Sequence, residues 1–110
     1  MPVDASVSVA ADVLDERVRQ NEKWGPQSHP NGTGGVSYVV MAKYGKELCA
    51  RAFAAGLGDW RHILFEEVYE AFAEEDVKAL RTELIQVAAV AVAWVEDIDR
   101  KALIAAHIES

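Results

Sequence analysis

Residues Trp60–Glu75 read WRHILFEEVYEAFAEE, and Leu84–Val95 read LIQVAAVAVAWV. At 100° per residue, Trp60, Ile63, Leu64, Val68 and Ala71 of the first stretch fall on one side, the pattern of a helix with an apolar face. Glu67 falls on that same side, between Ile63, Leu64 and Ala71. Glu70 flanks it one turn away, and Glu66 lies further round. The second stretch is apolar nearly all round, with Gln86 as its one polar member. It is too short for a membrane span, which needs about 20 residues, and it is expected to form a buried helix. Just ahead of it, Glu83 points near the direction of Leu80, Val87 and Trp94. These two segments make the fold all-α.

An ionised carboxylate facing a core is costly unless it finds a partner or takes up a proton. Two helices of an antiparallel hairpin, each presenting carboxylates inward, would gather oxygen ligands of the kind that hard cations such as Mg²⁺ prefer. An ion would also remove the repulsion among the clustered charges. The competing explanation is a solvated face, since glutamates are good helix formers and commonly pair with Arg or Lys. For any one of these residues that explanation is the stronger. For Glu66, Glu67, Glu70 and Glu83 together, with two on the apolar side, the site is favoured.

Working outward, a first helix is expected from Ser6 to Trp24, with Val7, Ala10, Val13, Leu14, Val18 and Asn21 along one side, ended by Gly25 and Pro26. Gln27–Gly35 is a turn-rich loop. A second helix covers Val36–Ala55, with Val36, Val39, Val40, Tyr44, Leu48 and Ala52 at helical spacing. Its interior Gly45 weakens the case for an unbroken rod, because Gly costs about 1 kcal/mol there relative to Ala. Gly56–Asp59 breaks the chain, and Asp59 can cap a third helix over Trp60–Glu74. A turn at Glu75 and Asp76 leads to a fourth helix over Val77–Ala106. Short connections between four helices point to one bundle-like domain, residues 1–110. So small a chain can hardly cover its apolar fourth helix, so a homodimer or homotetramer is expected.

The composition narrows the function. Of the 110 residues, 51% are hydrophobic, enough for a core, and the formal net charge is -7. With a pI near 4.8, non-specific binding to a nucleic acid polymer or an anionic membrane is disfavoured. Cys49 is the single cysteine, which fits a reducing, cytoplasmic setting. Asp4, Asp12, Asp15 and Glu16 interrupt any apolar leader.

Glu66-Glu67-Val68-Tyr69-Glu70 followed after twelve residues by Glu83-Leu84-Ile85-Gln86 resembles the signature of the MazG-like, all-alpha nucleotide pyrophosphohydrolases. That signature is EExxE, a spacer of about a dozen to nearly thirty residues, then ExxD. The segment ERVRQNEKWGPQ (Glu16–Gln27) is similar to the opening of phage and actinobacterial members. The resemblance implies a MazG-type fold whose antiparallel third and fourth helices carry the metal site. It implies Mg²⁺, with Mn²⁺ as a substitute, held by Glu67, Glu70, Glu83 and the Gln86 position. Glu66 would orient or deprotonate the attacking water, and a nucleoside triphosphate would yield the monophosphate and pyrophosphate. Gln86 departs from the pattern, which has an aspartate there. It can offer a carbonyl oxygen but no charge, so the alternative is a catalytically weakened nucleotide-binding or regulatory module.

Gln20, Lys23 and Trp24 are candidates to contact the phosphates and stack on the base, with Arg17 as a further phosphate contact; the competing explanation is an exposed helix end. The HPNGTGG loop lacks a GK[ST] ending and follows no strand, so it is not a Walker loop. His29, His62 and His107 are too dispersed for a zinc site. Cys49 reads as a buried, inert thiol. His62, one turn before Glu66, could support that carboxylate from behind.

Overall fold

In the computed structural model, residues 5–109 are described, and they form four helices: α1 (Ala5–Trp24), α2 (Val36–Ala54), α3 (Trp60–Ala73) and α4 (Val77–Glu109). No strand occurs among the described residues. Asp4 lies outside them. The all-α expectation holds, and the boundaries depart from it mainly at the end of α4, which runs to Glu109 rather than Ala106. No Gly or Pro follows Ala106 to stop it.

The chain divides into two compact units, Asn31–Ala91 and Met1–Pro30 with Val92–Ser110. Helix α4 contributes to both. In the second of these units α1 ends as the sequence suggests. Gly25 takes φ 65° and its N–H donates to Asn21 O at 2.7 Å, closing the last turn in the left-handed conformation that glycine adopts most easily.

Within Asn31–Ala91, α2 packs on α3. Gly45 makes the close approach possible: a Cβ there would stand 2.8 Å from Phe65 Cδ1 and 3.5 Å from Glu66 Cα. Helix α2 is unbroken across Gly45. The loss of helix propensity, about 1 kcal/mol, is offset by packing that any larger residue would prevent. One turn on, Cys49 is buried. Edge-on and tilted ring contacts link Tyr38 to Phe72, Tyr44 to Phe65, Phe65 to Tyr69 and Tyr69 to Phe72. Such pairs contribute about 0.5–1.5 kcal/mol each beyond area burial.

Asp59 caps α3 as expected. Its side chain accepts from the backbone N–H groups of Arg61 and His62, while His62 Nδ1 accepts from Asp59 N at 3.1 Å. The His62 ring is thereby engaged with the cap through Nδ1. Arg61 Nη2 donates to Asp59 Oδ2 at 2.7 Å, and this guanidinium holds the Asp59 carboxyl at about 2, below the usual 3.8. A group lowered in this way contributes stability above its unfolded pKa and loses it as pH falls through the folded value. Asp59→Ala should lower the melting temperature at pH 7 by several degrees, and the gap between variant and wild type should close as pH falls from about 4 towards 2. Melting curves followed by circular dichroism check both statements. A gap unchanged down to pH 2 would contradict the assignment.

The apolar sides assigned from the sequence lie largely open in the single chain. Leu14 of α1 is 66% exposed and Val36 of α2 is 80% exposed, while the buried apolar side chains among the described residues are Val9, Cys49, Ala71 and Leu80. The run from Leu84 to Val95, expected to be buried, is not: Leu84, Ile85, Ala88, Ala89, Ala91 and Val95 are exposed, and Val87, Val90, Val92 and Trp94 are half-buried. The neighbours that one chain supplies cover only part of this helix.

Candidate functional site

The third and fourth helices meet across a short connection, residues 74–76. Asp76 Oδ2 accepts from Ala79 N at 2.9 Å and starts α4, and Gly34 N donates to Phe72 O at 2.8 Å, tying the preceding loop to the end of α3. Glu67 and Glu70 on α3 then meet Glu83 on α4. One carboxylate oxygen from each of the three lies within 4.8 Å of the others, and all three side chains are half-buried. Glu67 and Glu83, which a shared ion needs side by side, are side by side.

The electrostatics follow from this crowding. Burial pushes the Glu67 carboxyl up from 4.5, and the charges of Glu83 and then Glu66 push it further. Glu70 is likewise raised, first by burial and then by Glu67, Glu66 and Glu83, against a smaller lowering by Lys46. Glu66 is not a member of the three-oxygen group; it sits beside it and accepts a hydrogen bond from the buried Cys49 thiol, whose pKa is raised by burial and by that carboxylate. Gln86 is also at the cluster. Oriented by its hydrogen-bonding partners, its Nε2 donates to Glu83 Oε2 at 3.0 Å and to Glu67 Oε2 at 3.3 Å.

Against protein-family models, curated proteins and solved structures, the chain matches none. Its chemistry is therefore argued from its own residues.

The donor set fits a hard divalent ion. Three carboxylates from two helices offer oxygen only, the ligand type that Mg²⁺ and Mn²⁺ take. The candidates on α1 lie in the other unit and form a group of their own. Arg17 Nη1 donates to Gln20 Oε1 at 2.6 Å, and Lys23 Nζ sits 4.6 Å from the centroid of the exposed Trp24 ring. Lys46 and Cys49 are the neighbours of the carboxylates that sequence reasoning did not assign to the site. The signal was Gly45: an interior helical glycine marks close approach of another helix, and the residues one and four positions after it border that approach.

Raised carboxyls give a pH dependence of definite sign. Without metal, the folded chain binds more protons at Glu67 and Glu70 than the unfolded chain does at pH values above 4.5. The stability linked to these two groups is therefore fully present below about 4.5 and lost as pH rises through their raised values. A divalent ion held by these carboxylates would cancel that loss. Addition of Mg²⁺ should raise the melting temperature at pH 7.5 by several degrees, and the gain should shrink towards zero at pH 4.5. No gain at pH 7.5, or equal gains at both, would count against the site.

Proposed function

We propose that the chain is a Mg²⁺-dependent nucleoside triphosphate pyrophosphohydrolase with a MazG-type active site. The observation that carries this reading is the convergence of Glu67, Glu70 and Glu83 from two helices, in the order and spacing of the motif that the sequence resembles. Glu67, Glu70 and Glu83 would hold the ion. Mg²⁺ bound there would supply positive charge against the phosphate oxygens as negative charge develops in the transition state. Glu66, beside the cluster, would take the proton of the water that attacks the α-phosphorus. The bond from that phosphorus to the bridging oxygen breaks, and pyrophosphate leaves with the electron pair. The Cys49 thiol, whose pKa is raised by burial and by Glu66, lies beside that carboxylate. The polar and aromatic end of α1, with Arg17, Gln20, Lys23 and Trp24, has the chemistry to meet phosphates and a base. Cytoplasmic nucleotide pools are the natural source of substrate; no described helix is long and apolar enough to cross a membrane.

Self-association belongs to the same proposal. Along α4, exposed Leu84, Ala88, Ala91, Val95 and Ile98 recur at alternating intervals of four and three residues, which is the seam of a helix pair. A second copy of the chain presents the matching seam.

The test is incubation of the purified protein with a panel of NTPs, dNTPs and alarmone nucleotides in Mg²⁺, with pyrophosphate and phosphate measured. Release from none of them would defeat the enzymatic reading. Gln86, a neutral residue bonded to two of the carboxylates, favours one second reading, a nucleotide-binding module with little turnover. Turnover gained in Gln86→Asp would support it.

A further inference from the structure

We infer that Gln86 acts as a hydrogen-bond clamp on the carboxylate cluster, not as a ligand in it, and that each chain therefore holds one tightly bound divalent cation. The inference rests on the metal-site reading above and deepens it. Gln86 lies three residues after Glu83 and so beside it on α4, and it reaches across to Glu67 on α3. An amide set between two carboxylates faces them with its N–H groups, because its oxygen would place lone pairs against lone pairs. The two bonds, 3.0 Å to Glu83 Oε2 and 3.3 Å to Glu67 Oε2, bind the facing helices together at the point where their charges repel.

The same bonds limit what the cluster can hold. A pair of ions is normally joined by carboxylates that give both oxygens to metal. Here one oxygen of Glu67 and one of Glu83 accept from Gln86, and an oxygen that already accepts an N–H is a poorer bridge to a second ion. Glu70 completes a three-residue donor set for a single ion. Gln86 is then a positioning residue: it holds Glu67 and Glu83 beside each other where one oxygen of each comes within 4.8 Å of one of Glu70. Partners of metal ligands in this role typically affect affinity about 10–100-fold.

The experiment counts Mn²⁺ bound to the wild type, Gln86→Met and Gln86→Asp by electron paramagnetic resonance of the free ion. It also follows the Gln86 side-chain NH₂ resonances by NMR as Mg²⁺ is added to the wild type. Expected are one ion per wild-type chain, one ion held about 10–100-fold more weakly by Gln86→Met, and two ions in Gln86→Asp. The NH₂ protons should keep their hydrogen-bonded, downfield position when Mg²⁺ binds. Two tight ions in the wild type, wild-type affinity in Gln86→Met, or a single ion in Gln86→Asp would overturn the clamp while leaving the metal site standing. So would NH₂ protons that move to the solvent-exposed position, since the amide would then have turned its oxygen to the ion. Absence of Mn²⁺ binding in all three proteins would remove the metal site itself, and the clamp with it. The wild-type resonances and Gln86→Asp keep the test decisive if Gln86→Met fails to fold.

Discussion

Glu67→Gln should lower pyrophosphate release about 10³-fold or more while leaving the helical content intact. The direction follows from the proposed ligand set: an amide keeps the shape of the side chain but removes one of the three negative charges that would face the ion. Metal ions contribute several kcal/mol of charge stabilisation in such reactions, and each 1.36 kcal/mol is a factor of ten in rate. Stability should move the other way. Glu67 is raised by burial and by its acidic neighbours, so the neutral variant without metal should melt no lower than the wild type, and higher at pH 7.5. The gain on adding Mg²⁺ should largely vanish. Glu70→Gln should behave alike, because the same causes raise Glu70. Turnover that survived both changes would show the site to be misassigned. A variant that merely unfolds is recognised by its lost helicity.

Ala91→Glu should take the proposed oligomer apart. Ala91 stands in the middle of the exposed apolar series on α4, between Ala88 and Val95. A small residue there lets two helices approach closely, and a carboxylate would have to be buried without a partner or keep the helices apart. Burying an unpaired charge costs several kcal/mol, and each 1.4 kcal/mol is tenfold in an equilibrium constant, so association should weaken at least about 100-fold. Sedimentation velocity at micromolar concentration reads the change directly. Since the single chain buries few apolar side chains of its own, the melting temperature should fall too and become independent of protein concentration. If the wild type sediments as a monomer, or the variant keeps the wild-type assembly, this face of α4 is not the seam.

Local rules made much of this molecule readable. The helix over Trp60–Ala73 follows from its apolar spacing, its start from Asp59, and the placing of Glu67, Glu70 and Glu83 from the same angular arithmetic on two neighbouring helices. What escaped depends on which helix lies against which. Gly45 registers in the sequence as a weakness of α2, whereas its meaning is the closeness of Phe65 and Glu66. The hydrogen bond from Cys49 to Glu66 and the proximity of Lys46 to Glu70 follow from that contact. Gln86 could be noted as a departure from a motif, but its donor role needs both carboxylates in view. Burial was misjudged for Leu84–Val95 because periodicity reports how apolar a surface is, not whether the same chain covers it.

The notch at Gly45 has one more outcome, for measurement. Because Cys49 is the chain's single cysteine and lies buried one turn beyond that notch, nature has installed a probe at the seat of the proposed base. Buried as it is, its thiol should meet a bulky alkylating reagent slowly while α2 stays packed on α3. The labelling rate in unmodified protein thus times the breathing of that helix pair, and a bound nucleotide that braces the pair would slow the clock.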